Sequence, residues 1–173
     1  MEMKVNERTR IETKELNPKI MENIDVLENI LTFWEFWVLK ILELKKTALT
    51  TQEIRNKILL KISDDLRKGQ IKDFDVVYTN KIITKKELQE LRIKIKEELK
   101  KREPTYLFIK SLEKLMDKIL GIKIPSYKKI ENMLLALEKM GLVGRRYDTL
   151  KKGKWLWVLN PMYIKALKIS EKK

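Results

Sequence analysis

The sequence contains neither cysteine nor histidine. It therefore has no disulfides, no zinc-finger ligands, and no imidazole or thiolate to serve as a catalytic base or nucleophile. Glycine and proline are also scarce, with five and four in 173 residues, and there is no glycine-rich phosphate-binding loop or nucleophile elbow. We expect no metal, no cofactor and no enzymatic activity. A metal-dependent nuclease that uses only carboxylates and lysine is the one enzyme class that stays open.

Long hydrophobic runs are missing as well. The longest, residues 30–42, is interrupted by Glu35 and Lys40 and is too short to span a bilayer. The N-terminal residues lack the apolar core of a signal peptide. These features predict a soluble protein of the cytoplasm.

Positive charge is what the chain has in excess. It carries 39 lysines and arginines against 25 acidic residues, which gives a formal net charge of +14. Such an excess favours a polyanionic partner, either nucleic acid or an anionic membrane surface. A composition rich in Lys, Glu and Ile is also typical of thermophilic proteins, but surface ion-pair networks should balance their signs. The imbalance therefore favours nucleic acid.

The first third of the chain predicts an arm followed by helices. Residues 1–16 are mostly polar and predict an N-terminal arm, and from Asn17 apolar residues recur every three or four positions. The helix that contains residues 33–38 is apolar almost all round, which predicts central burial in its own core or across a dimer seam. Thr50 and Glu53 form a capping box for a helix that should reach about residue 62.

The middle of the chain predicts two more amphipathic helices. A second capping box, Thr84 with Glu87, opens a helix that should end before Pro104. Another helix is expected from residue 106 to residue 120. A β-prone run, 74–78, lies between the helix capped by Thr50 and these two helices. The hydrophobic pattern of the middle of the chain is therefore irregular.

The last third predicts a helix followed by a basic hairpin. Ser126 can cap the N-terminus of this helix, and Gly141 should end it. Its core-facing stripe is Ile130, Met133 or Leu134, Leu137 and Met140. Its outer, N-terminal side carries Tyr127, Lys128, Lys129 and Asn132. Two strand-like runs follow at 143–147 and 154–159, and the basic residues in and around their turn are Arg145, Arg146, Lys151, Lys152 and Lys154.

This helix and hairpin, residues 124–160, resemble the recognition helix and wing of winged helix-turn-helix regulators such as the MarR and PadR families. The resemblance implies a mainly α fold with a small β-hairpin, in which residues 17–173 form one winged-helix domain. Within it, 63–105, or up to 123, would be a partly helical insertion, and 161–173 a C-terminal helix. The second helix of the motif is then either 50–62 or 111–120; we prefer the first, because residues 31–62 contain a buried helix and a capped one.

The resemblance also implies how DNA would be contacted. Lysine can donate to guanine O6 and N7, and asparagine can pair with adenine, so Lys128, Lys129, Asn132 and Tyr127 suit groove contacts. The five basic residues of the hairpin suit phosphates. Leu135 and Ala136 depart from the family, which usually shows polar or basic residues there. The helix would then enter the groove only by its first two turns, be covered by the insertion, or bind protein instead.

We therefore expect double-stranded DNA binding, sequence-selective or general, by a transcriptional regulator that acts as a homodimer. Two domains on two half-sites would multiply a modest specificity. One alternative is a winged-helix module for protein–protein assembly. Another is a DNA-binding protein of replication or plasmid maintenance.

Overall fold

A computed structural model of the chain describes residues 11–22, 24–45, 48–69, 85–101, 103–120, 123–148 and 154–171. The fold of these residues is mainly helical with a small antiparallel sheet, which confirms the predicted fold class at that level. The strands are β1 (Ile11–Glu12), β2 (Val143–Asp148) and β3 (Lys154–Leu159). The helices are α1 (Pro18–Glu22), a 3-10 helix (Ile24–Asn29), α2 (Phe33–Lys45), α3 (Thr51–Gly69), α4 (Lys85–Lys100), α5 (Tyr106–Leu120), α6 (Tyr127–Lys139) and α7 (Pro161–Glu171).

The chain divides into two compact units. The first consists of the residues up to Ile54 and those from Pro125 onward, and the second is Arg55–Ile124. The predicted bounds of the insertion, 63–105 or up to 123, fall inside the second unit. The assignment of 17–173 to a single domain stays a prediction.

The core of the first unit forms where α2 packs against α6 and β3. From α2 it takes Val38, Leu39, Ile41 and Leu42, and from α6 it takes Ile130, Leu134 and Leu137, all buried. Full burial of one such side chain contributes roughly 1.5–3 kcal/mol before chain entropy is counted. The predicted stripe of α6 is therefore the face that the helix buries, with Leu134 rather than the half-buried Met133 at its centre.

The helical pattern that begins at Asn17 is divided between two short helices in the structure. Helix α1 ends at Glu22, and the 3-10 helix contains a kink at Val26 (φ −125°). Leu27, within the 3-10 helix, and Leu31, just after it, are both buried. The described part of the chain does not cover α2 on all sides, because Phe33 is 62% exposed and Leu44 is 50% exposed. Of the two predicted settings for α2, its own core or a dimer seam, the second therefore stays a prediction.

The sheet joins distant parts of the first unit. β2 pairs with β3 in the predicted antiparallel hairpin, which we call the ribbon, from Val143 opposite Leu159 to Asp148 opposite Lys154. β1, in the segment predicted as an arm, adds a third strand alongside β2. Leu49, between α2 and α3, forms a two-hydrogen-bond bridge with Trp157 of β3 (2.7 and 3.0 Å).

The second unit is built from the rest of α3 with α4 and α5. Its buried apolar side chains include Ile58, Ile95, Leu112 and Met116. Lys57 is buried too, and its ammonium donates to the carbonyl oxygens of Leu99 and Lys101 at the end of α4. The predicted helices at 85 and 106 are present, whereas Thr84 of the second capping box and the run 74–78 lie outside the described residues.

A buried carboxylate closes the link between α4 and α5. Burial alone would raise the pKa of Glu98, but hydrogen bonds from the Lys101 ammonium and from the Thr105 amide and hydroxyl outweigh it and lower that pKa. The charged form of Glu98 therefore stabilises this turn. In the part of the chain that the structure describes, no helix combines the length and apolar character needed to cross a membrane.

Candidate nucleic-acid interface

The first turns of α6 form an exposed, mostly cationic surface. The Ser126 hydroxyl accepts a hydrogen bond from the Lys129 amide (3.3 Å), so Ser126 caps the helix as predicted. Because α6 buries the face that carries Ile130, the opposite face is turned to solvent. The four residues predicted to contact DNA are all exposed there: Tyr127, Lys128, Lys129 and Asn132.

Two further charged residues of α6 belong to this surface, and neither was predicted from the sequence. Lys139 is exposed, and helical spacing puts it on the same side as Lys128 and Asn132. Glu131 lies 3.8 Å from the Lys128 ammonium, which is 76% exposed. An ion pair this long and this exposed binds weakly, so it leaves Lys128 available to a ligand. The one-turn spacing of Glu131 from Lys128 could have revealed it.

The ribbon is fastened to α6 by a bidentate ion pair. Two of the three guanidinium nitrogens of Arg145, Nε and Nη2, donate to the Glu138 carboxylate, at 2.6 and 2.9 Å, and Glu138 is only 7% exposed. The same guanidinium lies over the rings of Trp155 (5.7 Å) and Trp157 (5.3 Å). Arg145, which the sequence suggested as a phosphate contact, therefore holds helix and ribbon together, because two of its nitrogens donate to Glu138.

The start of α3 is attached to the same ribbon. The Thr50–Glu53 capping box is confirmed, with each backbone amide donating to the other side chain (3.3 and 3.1 Å). The indole of Trp157 donates to the Thr51 hydroxyl (3.1 Å), beside the Leu49 bridge. These bonds fix the helix start, the ribbon and α6 as one arrangement.

An open groove of about 370 Å³ lies between α6 and the ribbon. Its walls include Tyr127, Glu131 and Leu135 from α6, and Trp155 and Trp157 from the ribbon. Leu135 is half-buried and faces this groove. Its apolar character therefore fits a position against tryptophans and not one on the outermost edge of the helix.

The other ribbon residues are only partly described. Arg146 is half-exposed, and its backbone lies between β1 and β3, opposite Ile11 and Leu156. Lys151 and Lys152 lie outside the described residues, and for Lys154 only the backbone in β3 is described. Among the residues described, no cluster of three or more acidic side chains could hold a metal ion.

Glu138→Ala is expected to lower the free energy of unfolding by about 2 kcal/mol, because it leaves the half-buried Arg145 guanidinium without its carboxylate. Urea denaturation followed by tryptophan fluorescence measures the change. The matched control is Glu131→Ala, which removes an acid of the same helix whose ion pair with Lys128 is long and solvent-accessible, and it should change stability by about 0.5 kcal/mol or less. Equal effects of the two substitutions would contradict the role assigned to Glu138.

The sequence and the structure of the chain were compared with those of known proteins. No protein-family model, no curated protein and no solved structure matches it. The resemblance of residues 124–160 to winged helix-turn-helix regulators therefore stays a prediction, and the geometry of α6 and the ribbon has to carry the functional argument.

Proposed function

We propose that the chain binds double-stranded DNA through the exposed face of α6 and the ribbon, as a winged helix-turn-helix domain with a helical insertion and as a transcriptional regulator. One observation carries the proposal. Lys128 and Lys129 are exposed on the first turn of α6, and Tyr127 of that turn shares a groove with the ribbon that Glu138 and Arg145 hold against the same helix. A helix for the groove and a cationic ribbon for the backbone can then meet one duplex together.

Contacts of the sheet support one assignment of the second helix of the motif. The Leu49–Trp157 bridge and the Trp157–Thr51 hydrogen bond tie the beginning of α3 directly to the ribbon. The rival segment, 111–120, lies wholly in the second compact unit, which also contains α3 from Arg55 onward. These contacts support the start of α3 as the second helix, with α6 as the recognition helix.

Within this proposal the outward residues of α6 read bases. Lys128 and Asn132 are one turn apart on the exposed face, where lysine suits guanine and asparagine suits adenine. Glu131, on the neighbouring stripe, could accept from the amino group of cytosine. Tyr127, Lys129 and Lys139 extend the contact along the backbone.

The ribbon residues Arg146, Lys151, Lys152 and Lys154 hold phosphates in the same proposal. Such contacts add affinity without sequence choice and weaken with salt. Arg145 is excluded from this set and acts as a positioning residue, because it is engaged with Glu138 and the two tryptophans.

Fluorescence anisotropy with mixed-sequence genomic duplexes tests the proposal. The duplexes that the native chain binds most tightly are taken for comparison. The variant Lys128→Ala/Lys129→Ala/Asn132→Ala should bind them about 10- to 100-fold more weakly than the native chain. The control Lys165→Ala/Lys168→Ala removes the same charge from exposed positions on α7 and should change affinity by about twofold or less. Failure of the native chain to bind duplexes at low salt, or native affinity in the α6 variant, would overturn the DNA-binding proposal.

A second candidate function is protein–protein assembly. Tyr106 and Leu107, at the start of α5 in the second unit, are 69% and 75% exposed. Large apolar side chains exposed side by side favour a protein partner. Absence of salt-dependent DNA binding by the native chain would favour this second function. A replication or plasmid-maintenance protein would behave like a regulator in the same test.

A further inference from the structure

The outward face of α2 carries a mostly apolar stripe that the described part of the chain covers only in part, with half-buried residues at its centre and exposed ones at its ends. Phe33, Trp37, Lys40 and Leu44 recur at intervals of four, three and four residues, so they lie in line along the whole helix. We call these four residues the outer stripe. Phe33 and Leu44, at its two ends, are at least half exposed, whereas the opposite face of α2 is buried against α6 and β3.

The outer stripe is ordered by its own aromatic contacts. The ring of Phe33 meets Trp34 edge to face at 4.9 Å and lies 6.4 Å from Trp37. The Lys40 ammonium lies over the rings of Trp37 (5.4 Å) and Phe36 (5.7 Å). A groove of about 350 Å³ runs alongside, with Phe36 and Leu44 on one wall and Leu167 of α7 on another. Apolar side chains exposed in line beside a groove favour an interaction site.

We propose that a second copy of this chain covers the outer stripe, with the two α2 helices antiparallel around a twofold axis. In this register Phe33 faces the partner's Leu44, and Trp37 faces the partner's Lys40. Phe33 and Leu44 then meet apolar side chains, and each lysine meets an indole ring, where a cation is attracted. The stripe is therefore self-complementary, as an isologous contact requires.

The distribution of charge also favours a second copy. The whole chain carries a net charge of +14, which opposes self-association. Helix α2, however, carries two acidic and two basic residues and is neutral, so two copies meet there with the least repulsion. A parallel pairing would place Lys40 against the partner's Lys40, and like charges at that spacing are unfavourable. Antiparallel pairing avoids this contact.

Pairing through α2 determines where the DNA-binding surfaces would lie. Helix α6 packs on the inner face of α2 and exposes Lys128 and Asn132 on its own far side. A twofold axis at the outer stripe therefore turns the two α6 helices to opposite sides of the dimer. Such a dimer would bridge two duplex segments, unlike the homodimer on adjacent half-sites that the sequence suggested. This consequence rests on the proposed DNA binding, but the dimer itself does not.

Cysteine cross-linking tests the register, because the native chain contains no cysteine. Positions 33 and 44 are eleven residues apart, about 16 Å along a helix, so they cannot form a disulfide within one chain. The double variant Phe33→Cys/Leu44→Cys should form a covalent dimer on mild oxidation. Phe33→Cys alone and Leu44→Cys alone should stay monomeric on denaturing gels, while their mixture should cross-link. The random-collision control is Lys168→Cys on α7.

The outcomes of this experiment are distinct. Cross-linking of Phe33→Cys alone would show parallel pairing and overturn the antiparallel register. Absence of cross-links both in the double variant and in the mixture, or equal cross-linking of Lys168→Cys, would overturn the α2 interface.

A charge exchange tests the same contact in solution. Sedimentation velocity should show a dimer for the native chain and a monomer for Trp37→Lys, which sets two lysines against each other. The variant Trp37→Lys/Lys40→Glu should regain the dimer, since position 37 then meets a carboxylate of the partner. A monomeric native chain, a dimeric Trp37→Lys or a monomeric double variant would each overturn the proposal. The variant Lys128→Ala/Lys129→Ala/Asn132→Ala should remain dimeric, so a failure of DNA binding stays distinguishable from a failure of pairing.

Discussion

Replacement of Gly141 by alanine should lower the free energy of unfolding of the first unit by about 3 kcal/mol. Gly141 follows α6 with φ +80°, a conformation that costs an alanine about 1–2 kcal/mol. A Cβ atom there would also lie 2.3 Å from the carbonyl oxygen of Glu15 and 2.6 Å from the Cα atom of Leu16. Both are backbone atoms, so no side-chain rotation relieves the clash.

The reason for this close approach is the tight ending of α6. The Leu142 amide bonds back to the Leu137 carbonyl, and the Gly141 amide bonds to Glu138, which satisfies the last carbonyls of the helix. The segment before α1 crosses this point, where the Asn17 amide donates to Met140. Asn160 adds a side-chain bond to the Gly141 carbonyl (2.7 Å). Any displacement at Gly141 therefore disturbs three parts of the first unit.

Urea denaturation followed by circular dichroism measures the effect of Gly141→Ala. Gly141→Asn separates its two causes, because asparagine tolerates the positive φ but brings the same Cβ atom. We expect the asparagine variant to be destabilised nearly as much as the alanine variant. Native stability of Gly141→Ala would contradict the close packing of residues 15–17 on the end of α6.

Local signals predicted the beginning and end of α6 well. A capping serine, an apolar stripe every three or four residues and a terminal glycine act within one or two turns of the chain, so the sequence is sufficient to place them. The same holds for the Thr50–Glu53 capping box and for the two strands of the ribbon. Contacts between distant segments leave no such mark. Gly141 predicted the end of α6, but nothing in the sequence predicted that Glu15 would pack against that end.

In the candidate site, too, local features were predictable from the sequence and contacts between distant segments were not. Exposure of Tyr127, Lys128, Lys129 and Asn132 follows from helical geometry once the buried stripe is known. The role of Arg145 does not, because the sequence gives its charge but not the carboxylate that it meets seven residues earlier, across the turn. Composition also left the burial of α2 open. A helix that is apolar almost all round must be covered somewhere, and the sequence does not say whether its own chain or a second copy covers it.

The salt dependence of DNA binding should distinguish the two arginines of β2. Under the proposed function, the variant Arg146→Ala/Lys151→Ala/Lys152→Ala/Lys154→Ala loses about one unit of slope in log affinity against log salt for every phosphate contact removed, up to about four units. At about 50 mM salt its affinity should fall by roughly 100-fold or more. Affinities measured by anisotropy from about 50 to about 200 mM salt give the slope.

Arg145→Ala provides the contrast, because it removes one positive charge from the same strand. Its guanidinium is bound to Glu138 and lies over two tryptophan rings, so its loss should weaken the attachment of the ribbon and leave the salt slope nearly unchanged. We expect lower stability and lower affinity at every salt concentration. A slope that falls by a full unit in Arg145→Ala would make this arginine a phosphate contact. An unchanged slope in the fourfold variant would instead remove the ribbon from the DNA interface, since only cations that displace counterions affect the slope.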